Sequence, residues 1–226
     1  MFVSRSMTRK VITVAKETTI VEARELMNQH GIRHLPVVDP DNHLVGIITD
    51  RGVRSALPFN WDKVSADPQE REKWSHLKVG EVMTPDPVTI APTHTLQDAL
   101  LLIQDKKMGA FPVVDAKGKL KGIVSIRDLL RAFINVLGIG EPGTLLGILV
   151  EEKIGQMKKI VDIITEEKIS FGSILVARYW EKNKRAVFPY LRTNNVTRVK
   201  KKLQEMGFEL IDPMKWYMDQ LPREEK

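Results

Sequence analysis

The sequence repeats itself at a period of 76 residues. Residues 7–56 align without a gap on residues 83–132, and sixteen of these 50 positions are identical. The matched segments include Leu-Pro-Val-Val-Asp with Phe-Pro-Val-Val-Asp, and Leu-Val-Gly-Ile-Ile-Thr with Leu-Lys-Gly-Ile-Val-Ser. A fixed period of this length indicates a duplicated structural unit. Each copy has the pattern strand, helix, strand, strand, helix, so we expect two successive α+β repeats.

The last strand-to-helix junction of the second copy carries the candidate binding chemistry. A buried strand ends near Val124 and a helix follows, so Ser125 falls at the N-cap position. Its hydroxyl and the nearby backbone N–H groups can face a phosphate. Asp128 lies in the first helical turn, where its carboxylate can accept hydrogen bonds from a ribose diol. The simpler alternative is that Ser125 only caps the helix and Asp128 only favours its dipole.

Three motifs in the two copies resemble the CBS domain family. They are the Met-Thr start (Met7-Thr8 and Met83-Thr84), the Pro-Val-Val-Asp strand and the Gly-Ile-Val-Ser-Ile-Arg-Asp ending that contains Asp128. A tandem pair of such domains, the Bateman module, spans roughly the first 140 residues. The resemblance implies a non-catalytic sensor. It also implies clefts that bind AMP, ADP, ATP or S-adenosylmethionine as a regulatory ligand, with no cofactor required and no metal site.

Carried onto this sequence, the resemblance implies one nucleotide site centred on Asp128. The second copy also contributes Gly122, Ile123, Ser125 and Arg127, together with the small residues Gly109 and Ala110 beside the base. The first copy contributes Met7, Thr8, Ile32, Arg33 and His34, and its Thr49 is the counterpart of Ser125. For Arg33 and His34, a solvated arginine and a structural histidine remain the alternative.

The first copy departs from this pattern at one position. Gly52 stands where Asp128 stands in the second copy. One or two charge-assisted hydrogen bonds are lost there, each worth about 1.5–3 kcal/mol. We therefore expect the equivalent first-copy site to bind at least tenfold more weakly.

Composition excludes several classes of function. The chain has no cysteine, so disulfides, thiol catalysis and thiolate metal sites are excluded. Five scattered histidines form no spaced metal motif, and Asp39 and Asp115 read as turn residues. We find neither an apolar run long enough to span a membrane nor a signal peptide, and expect a cytoplasmic protein. The net charge of +6 is too diffuse to demand nucleic acid.

The connector between the two copies and the end of the chain add further expectations. Asp67-Pro68 predicts the start of a short helix. Trp61 and Trp74 are expected to pack against the fold, with stacking on an adenine as the alternative. The expected domains are 1–76 (first repeat with connector), 77–138 (second repeat), 144–213 (a third domain) and 214–226 (a tail).

Beyond the glycine-rich break at 138–143, the order of predicted elements is βαββαβ, a ferredoxin-like fold. The first strand, the turn glycine Gly155 and the following helix resemble an ACT domain, although Ile154 replaces the usual proline. If this domain binds an amino acid, the candidate residues are Glu152, Gly155 and Asn195. RNA binding through the sheet, dimerisation alone, or an enzyme are the alternatives. The order of modules resembles regulators of acetoin utilization, and a homodimer is the simplest assembly.

Overall fold

The computed structural model describes residues 1–61, 67–72, 74, 76–181 and 183–212. The chain divides into two compact units, Met1–Leu130 and Arg131–Lys226. No helix in the described part of the chain is both long and apolar enough to cross a membrane. The expected tail lies outside the described residues.

The first repeat follows the predicted order. Its elements are α1 (Val3–Ser6), α2 (Ile20–His30), β1 (His34–Val38), β2 (Leu44–Thr49) and α3 (Asp50–Ala56), and α4 (Pro68–Glu72) lies in the connector. Helix α2 begins at the predicted capping box, in which Thr19 and Glu22 exchange hydrogen bonds. It ends at Gly31, whose φ of 61° is left-handed. The strand expected before α2 reduces to one bridge, Val14 to Val37.

The second repeat has the same arrangement and ends in a longer helix. Its elements are α5 (Val79–Val82), β3 (Thr84–Pro85), α6 (Leu96–Lys106), β4 (Ala110–Val114), β5 (Leu120–Ser125) and α7 (Ile126–Leu137). Thr95 and Asp98 form the capping box of α6, as Thr19 and Glu22 do for α2. Helix α7 ends at Leu137.

The two repeats exchange the segments that open them. Thr8 of the first repeat pairs with Ile123 in β5 of the second, through Thr8 N–H to Ile123 C=O at 2.9 Å and the reverse bond at 3.0 Å. In the same way β3 of the second repeat pairs antiparallel with β2 of the first, with Thr84 opposite Ile47. Each repeat therefore completes the sheet of the other.

The hairpin turns of the two repeats also bond to each other. Leu44 donates to the Gly118 carbonyl at 3.1 Å, and Leu120 donates to the Asn42 carbonyl at 3.0 Å. Asn42 and Gly118 occupy equivalent positions and both have a left-handed φ. These reciprocal bonds show that the two repeats are arranged with pseudo-twofold symmetry within the first unit.

The connector tryptophans pack in the first repeat. Trp61 is only 6% exposed and belongs to the core that α2, β1 and β2 enclose, and the partly buried Trp74 packs against the same core. The packing interpretation of both residues is therefore the correct one. The alternative, adenine stacking, is wrong for Trp61 because its ring is already enclosed.

The second unit has the predicted βαββαβ order with one difference. Its elements are β6 (Thr144–Leu145), β7 (Ile148–Glu151), α8 (Gln156–Glu166), β8 (Phe171–Glu181), β9 (Lys184–Leu191), α9 (Thr197–Glu205) and β10 (Glu209–Leu210). The antiparallel sheet runs β10-β7-β9-β8, with β6 also on β9. The predicted strand 144–150 is interrupted, and within the interruption the Gly147 carbonyl accepts a bond from Ile211 N–H at 2.8 Å.

The segment exchange predicts opposite effects for two glycine substitutions. A Cβ atom at Gly122 would lie 2.7 Å from Met7 Sδ and 2.9 Å from the Thr8 carbonyl oxygen. Gly122→Ala should therefore lower the free energy of unfolding of the first unit by about 1–3 kcal/mol. At Gly52, inside α3, the nearest atoms are 3.5 Å away. Gly52→Ala should leave stability unchanged or raise it by up to about 1 kcal/mol.

Urea unfolding followed by circular dichroism measures both effects. Equal stabilities for the two variants would contradict the close approach of the Met7–Thr8 segment to β5.

Candidate functional site

The Ser125–Asp128 junction is a complete capping box. Asp128 Oδ2 accepts from the Ser125 backbone N–H at 2.9 Å and from its hydroxyl at 2.6 Å. In return, Ser125 Oγ accepts from the Asp128 backbone N–H at 3.3 Å. Ser125 and Asp128 therefore do cap the helix, as the simpler alternative states. The capping box also fixes the carboxylate and the N-terminus of α7 in one orientation.

The segment from the first repeat lies next to this junction. Thr8 pairs with Ile123, which is two residues before Ser125 on β5. Met7 is 8% exposed, and its sulfur lies against Gly122. The structure therefore brings together residues from both repeats that are 114 positions or more apart in the chain. We call this group, Met7, Thr8, Gly122, Ile123, Ser125 and Asp128, the Asp128 cleft.

His34 lies where the two repeats meet. Its imidazole Cε1 is 3.6 Å from the position of a Cβ atom at Gly109, so any side chain at Gly109 would contact the ring. The Gly109 carbonyl accepts from Ile126 N–H at 3.1 Å, which ties this contact to the start of α7. Burial lowers the pKa of His34, the nearby Arg33 charge lowers it further, and Asp50 opposes the shift. The imidazole is therefore neutral at pH 7.

The first repeat has only half of the equivalent cap. Thr49 Oγ1 accepts from the Gly52 backbone N–H at 3.1 Å, but Gly52 has no side chain to return a bond. Across the strands, Thr49 lies opposite His34, as Ser125 lies opposite Ala110. This half-capped junction is the structural counterpart of the Asp128 cleft.

Other predicted residues have different surroundings. Ile32 packs against the core of the first repeat. Ala110 is 1% exposed within β4, so it is part of the core. Arg33 and Arg127 are exposed. Sequence analysis did not single out Asp50, whose backbone N–H donates to the Arg33 carbonyl at 2.9 Å; its position as the counterpart of Ile126 is the signal that would have found it.

The hairpin aspartates are turn residues, as predicted. Asp39 Oδ1 accepts from the backbone N–H groups of Asp41 and His43 at 3.0 and 2.8 Å, and Asp115 does the same for Lys117 and Lys119. These bonds lower the pKa of both carboxyls; at Asp115 the bond from the Lys121 side chain contributes most. Asp39, Asp41 and His43 lie within 4.8 Å of one another because of this turn.

The candidate amino-acid residues of the second unit do not form one group. Glu152 is ion-paired with Arg185, and both line a pocket of about 400 Å³ beside the turn at Gly155. Asn195 follows the far end of β9, on the order of 20 Å away along the strand. Asn195 therefore does not line this pocket. Sequence analysis did not single out Arg185, whose place opposite Val150 comes from the pairing of β7 with β9, two strands that are distant in sequence.

The lowered pKa of His34 predicts a pH-dependent stability. The unfolded chain binds a proton near pH 6.5 and the folded chain binds it only at lower pH, so stability is complete above pH 6.5 and falls as pH decreases below it. His34→Gln should lose less stability than the wild type between pH 7.5 and 5.5, measured by urea unfolding. His30→Gln is the exposed control. Identical pH slopes in wild type and His34→Gln would contradict the assignment.

Comparison with known proteins agrees with this architecture. The CBS domain model matches residues 3–58 and 79–135. A CBS domain-containing protein of Dictyostelium discoideum is 38% identical over 141 residues, which cover 60% of this chain and 92% of that protein. An inosine-5'-monophosphate dehydrogenase of Korarchaeum cryptofilum is 39% identical over 121 residues. That match covers 54% of this chain and only 22% of the enzyme.

Solved structures give the same result over the first part of the chain. An acetoin utilization protein (AcuB) from Vibrio cholerae has a TM-score of 0.51 and 31% identity, covering 62% of this chain and 96% of that one. The CBS-pair protein CBSX2 from Arabidopsis thaliana has a TM-score of 0.51 and 31% identity, covering 59% and 94%. CBSX2 has also been solved in complex with AMP. With its two matched repeats, the chain belongs to the CBS domain family.

Proposed function

We propose that this protein is a non-catalytic regulator that binds one adenosine-containing ligand in the Asp128 cleft. The observation that carries the proposal is the pairing of Thr8 with Ile123, which sets the opening segment of one repeat beside the capped junction of the other. A ligand held there touches both repeats at once. Its binding energy can therefore favour one relative arrangement of the repeats.

The residues of the cleft suit the parts of such a ligand. The N-terminus of α7, a helix of 12 residues, offers backbone N–H groups and a positive dipole end to a phosphate. The exposed Arg127 in its first turn adds a cation. The capping box with Ser125 holds the Asp128 carboxylate in place as an acceptor for a ribose diol. The neutral His34 imidazole, which lies within contact distance of Gly109, offers a flat face to a base.

Removing the Asp128 charge should weaken binding without removing the helix cap. We expect Asp128→Asn to raise the dissociation constant of the preferred ligand at least tenfold, because a charge-assisted hydrogen bond becomes a neutral one. Isothermal titration calorimetry with AMP, ADP, ATP and S-adenosylmethionine measures this and identifies the ligand. AMP is the first to test.

Two matched variants complete the experiment. Asp98→Asn removes the equivalent carboxylate of the α6 capping box in the same repeat and should leave binding unchanged. Gly52→Asp places the missing carboxylate in the first repeat, where a Cβ atom would meet its nearest neighbours at an ordinary contact distance of 3.5 Å, and should raise the stoichiometry from one site to two. Undiminished binding by Asp128→Asn, or equal losses in Asp98→Asn, would overturn the assignment of the site.

The second unit is proposed to be an ACT-type, ferredoxin-like domain that relays the signal and contributes to a homodimer. Its βαββαβ order and the 4-1-3-2 arrangement of β7, β8, β9 and β10 support the fold. The pocket at Gly155, closed by the Glu152–Arg185 pair, is the place where an amino acid would bind. RNA binding is less well supported because the central strand β7, Ile-Leu-Val-Glu, has no aromatic residue for base stacking.

A relay requires that ligand shift a conformational equilibrium, which it can do only through different affinities for the two states. Small-angle scattering of the full chain should therefore change when the preferred ligand is added at saturation, and should not change for Asp128→Asn at the same concentration. Superimposable profiles for the wild type would exclude a large reorientation.

The similarity to AcuB makes a cytoplasmic role in acetoin or acetate metabolism the proposed setting.

A further inference from the structure

The two repeats differ at the hairpin end of their strands. In the second repeat, Lys121 of β5 forms an ion pair with Asp115, and Lys121 Nζ lies 3.1 Å from Asp115 Oδ2. The first repeat has Val45 and Asp39 at these two positions. It therefore keeps the carboxylate of the pair and lacks the ammonium group.

A cavity of about 540 Å³ occupies this part of the first repeat, and both Val45 and Asp39 line it. Three wall positions hold similar apolar residues in both repeats: Val14, Leu26 and Val38 in the first, and Ile90, Leu102 and Val114 in the second. In the second repeat the Lys121 side chain reaches from one of the equivalent lining positions to another. The protein thus shows which group fits beside such walls, namely an ammonium on an unbranched carbon chain.

The Asp39 carboxylate is oriented in the same way as that of Asp115. Its Oδ1 atom accepts from the backbone N–H groups of Asp41 and His43, as Asp115 Oδ1 does in the second hairpin. The bond from the His43 N–H lowers the pKa of Asp39, so the carboxylate is ionised at pH 7. Asp39 Oδ2 lies 3.2 Å from His43 Nδ1. Since a carboxylate oxygen has two acceptor positions, Oδ2 can accept from an ammonium as well.

We propose that the first-repeat cavity binds a primary ammonium group on an unbranched carbon chain, the group that Lys121 supplies within the second repeat. The ammonium pairs with Asp39, and the carbon chain lies against Val45 and the apolar walls. Two sources carry this chemistry: a free aliphatic diamine, and a lysine side chain of another protein.

The charges around the cavity suit a ligand with a second positive group. Glu17 lines the cavity together with Asp39, and Lys16 is the one cation among the lining residues. A neighbouring cleft, which shares two lining residues with the cavity, adds Glu22 and Glu25. The two spaces together have four carboxylates and one ammonium, although the whole chain has a net charge of +6. A diamine can therefore pair at both of its ends.

The cavity is separate from the strand-to-helix junction of the same repeat. Val38 ends β1 beside the hairpin, whereas His34 begins β1 opposite Thr49. Four residues of strand separate the two ends by on the order of 13 Å. An ammonium in the cavity and a nucleotide at a junction therefore do not compete, and the two proposals can be tested separately.

Reciprocal exchange of the two side chains tests the proposal in the full chain. Cadaverine is titrated at constant ionic strength and followed by leucine methyl NMR, with the uncharged pentanediol of the same length as control. Because an exposed ion pair contributes little alone, we expect a millimolar dissociation constant, with shifts at Leu26. Val45→Lys supplies the ammonium from within and should raise this constant on the order of tenfold or more. Lys121→Val frees the equivalent place beside Asp115 and should add a second site, seen as cadaverine shifts at Leu102.

Three outcomes would overturn the proposal: no shift at Leu26 with cadaverine, equal shifts with pentanediol, or undiminished cadaverine binding by Val45→Lys. Failure of Lys121→Val to gain shifts at Leu102 would contradict the equivalence of the two places. The N-methylamide of acetyl-lysine identifies the source. Binding as tight as that of cadaverine assigns the site to a lysine side chain, and weaker binding assigns it to a free diamine. Nucleotide affinity should be the same in both variants as in the wild type.

Discussion

The fold of the first unit depends on the reciprocal pairing between its repeats. Thr8 bonds to Ile123 on β5, and Thr84 of β3 lies opposite Ile47 on β2. Neither repeat has a complete sheet without the segment that opens the other. The glycines at the crossing points follow from this constraint: a Cβ atom at Gly46 or Gly122 would lie within 2.7 Å of the sulfur of Met83 or Met7. The exchange also sets each junction beside a segment from the other half, which is where we propose that the ligand binds.

Duplication gives the chain two equivalent strand-to-helix junctions, and single-residue differences between the repeats make these junctions unequal. Ser125 and Asp128 form a full capping box, whereas Thr49 faces Gly52 and forms only half of one. We propose that the nucleotide site of this duplicated scaffold therefore lies in the second repeat alone.

Local patterns in the sequence predicted local structure well. The helix start at Asp67-Pro68 and the turn role of Asp39 follow from neighbouring residues and are confirmed. The strand expected before α2 is reduced to one parallel bridge, Val14 to Val37. The first strand of the second unit is divided into β6 and β7, and Ile211 extends the pairing of β10 with β7 to Gly147.

The candidate site was predictable in its centre and less so at its edges. Ser125, Asp128, Met7 and Thr8 came from repeated motifs, and the structure brings them together. Asn195 follows the end of β9 opposite to the end near Glu152, which only the strand register shows. The pairing of Arg185 with Glu152 also depends on the register of β7 with β9, which the sequence leaves open.

The central claim is that one ligand binds at the junction with Asp128 and not at its counterpart. Isoleucine methyl NMR tests it directly, because Ile123 of β5 and Ile47 of β2 are equivalent probes of the two junctions. Saturating AMP, or whichever adenosine ligand calorimetry identifies, should shift the Ile123 methyl resonance strongly and leave that of Ile47 nearly unchanged. Equal shifts at both residues, a shift at Ile47 alone, or no shift at either would contradict the account.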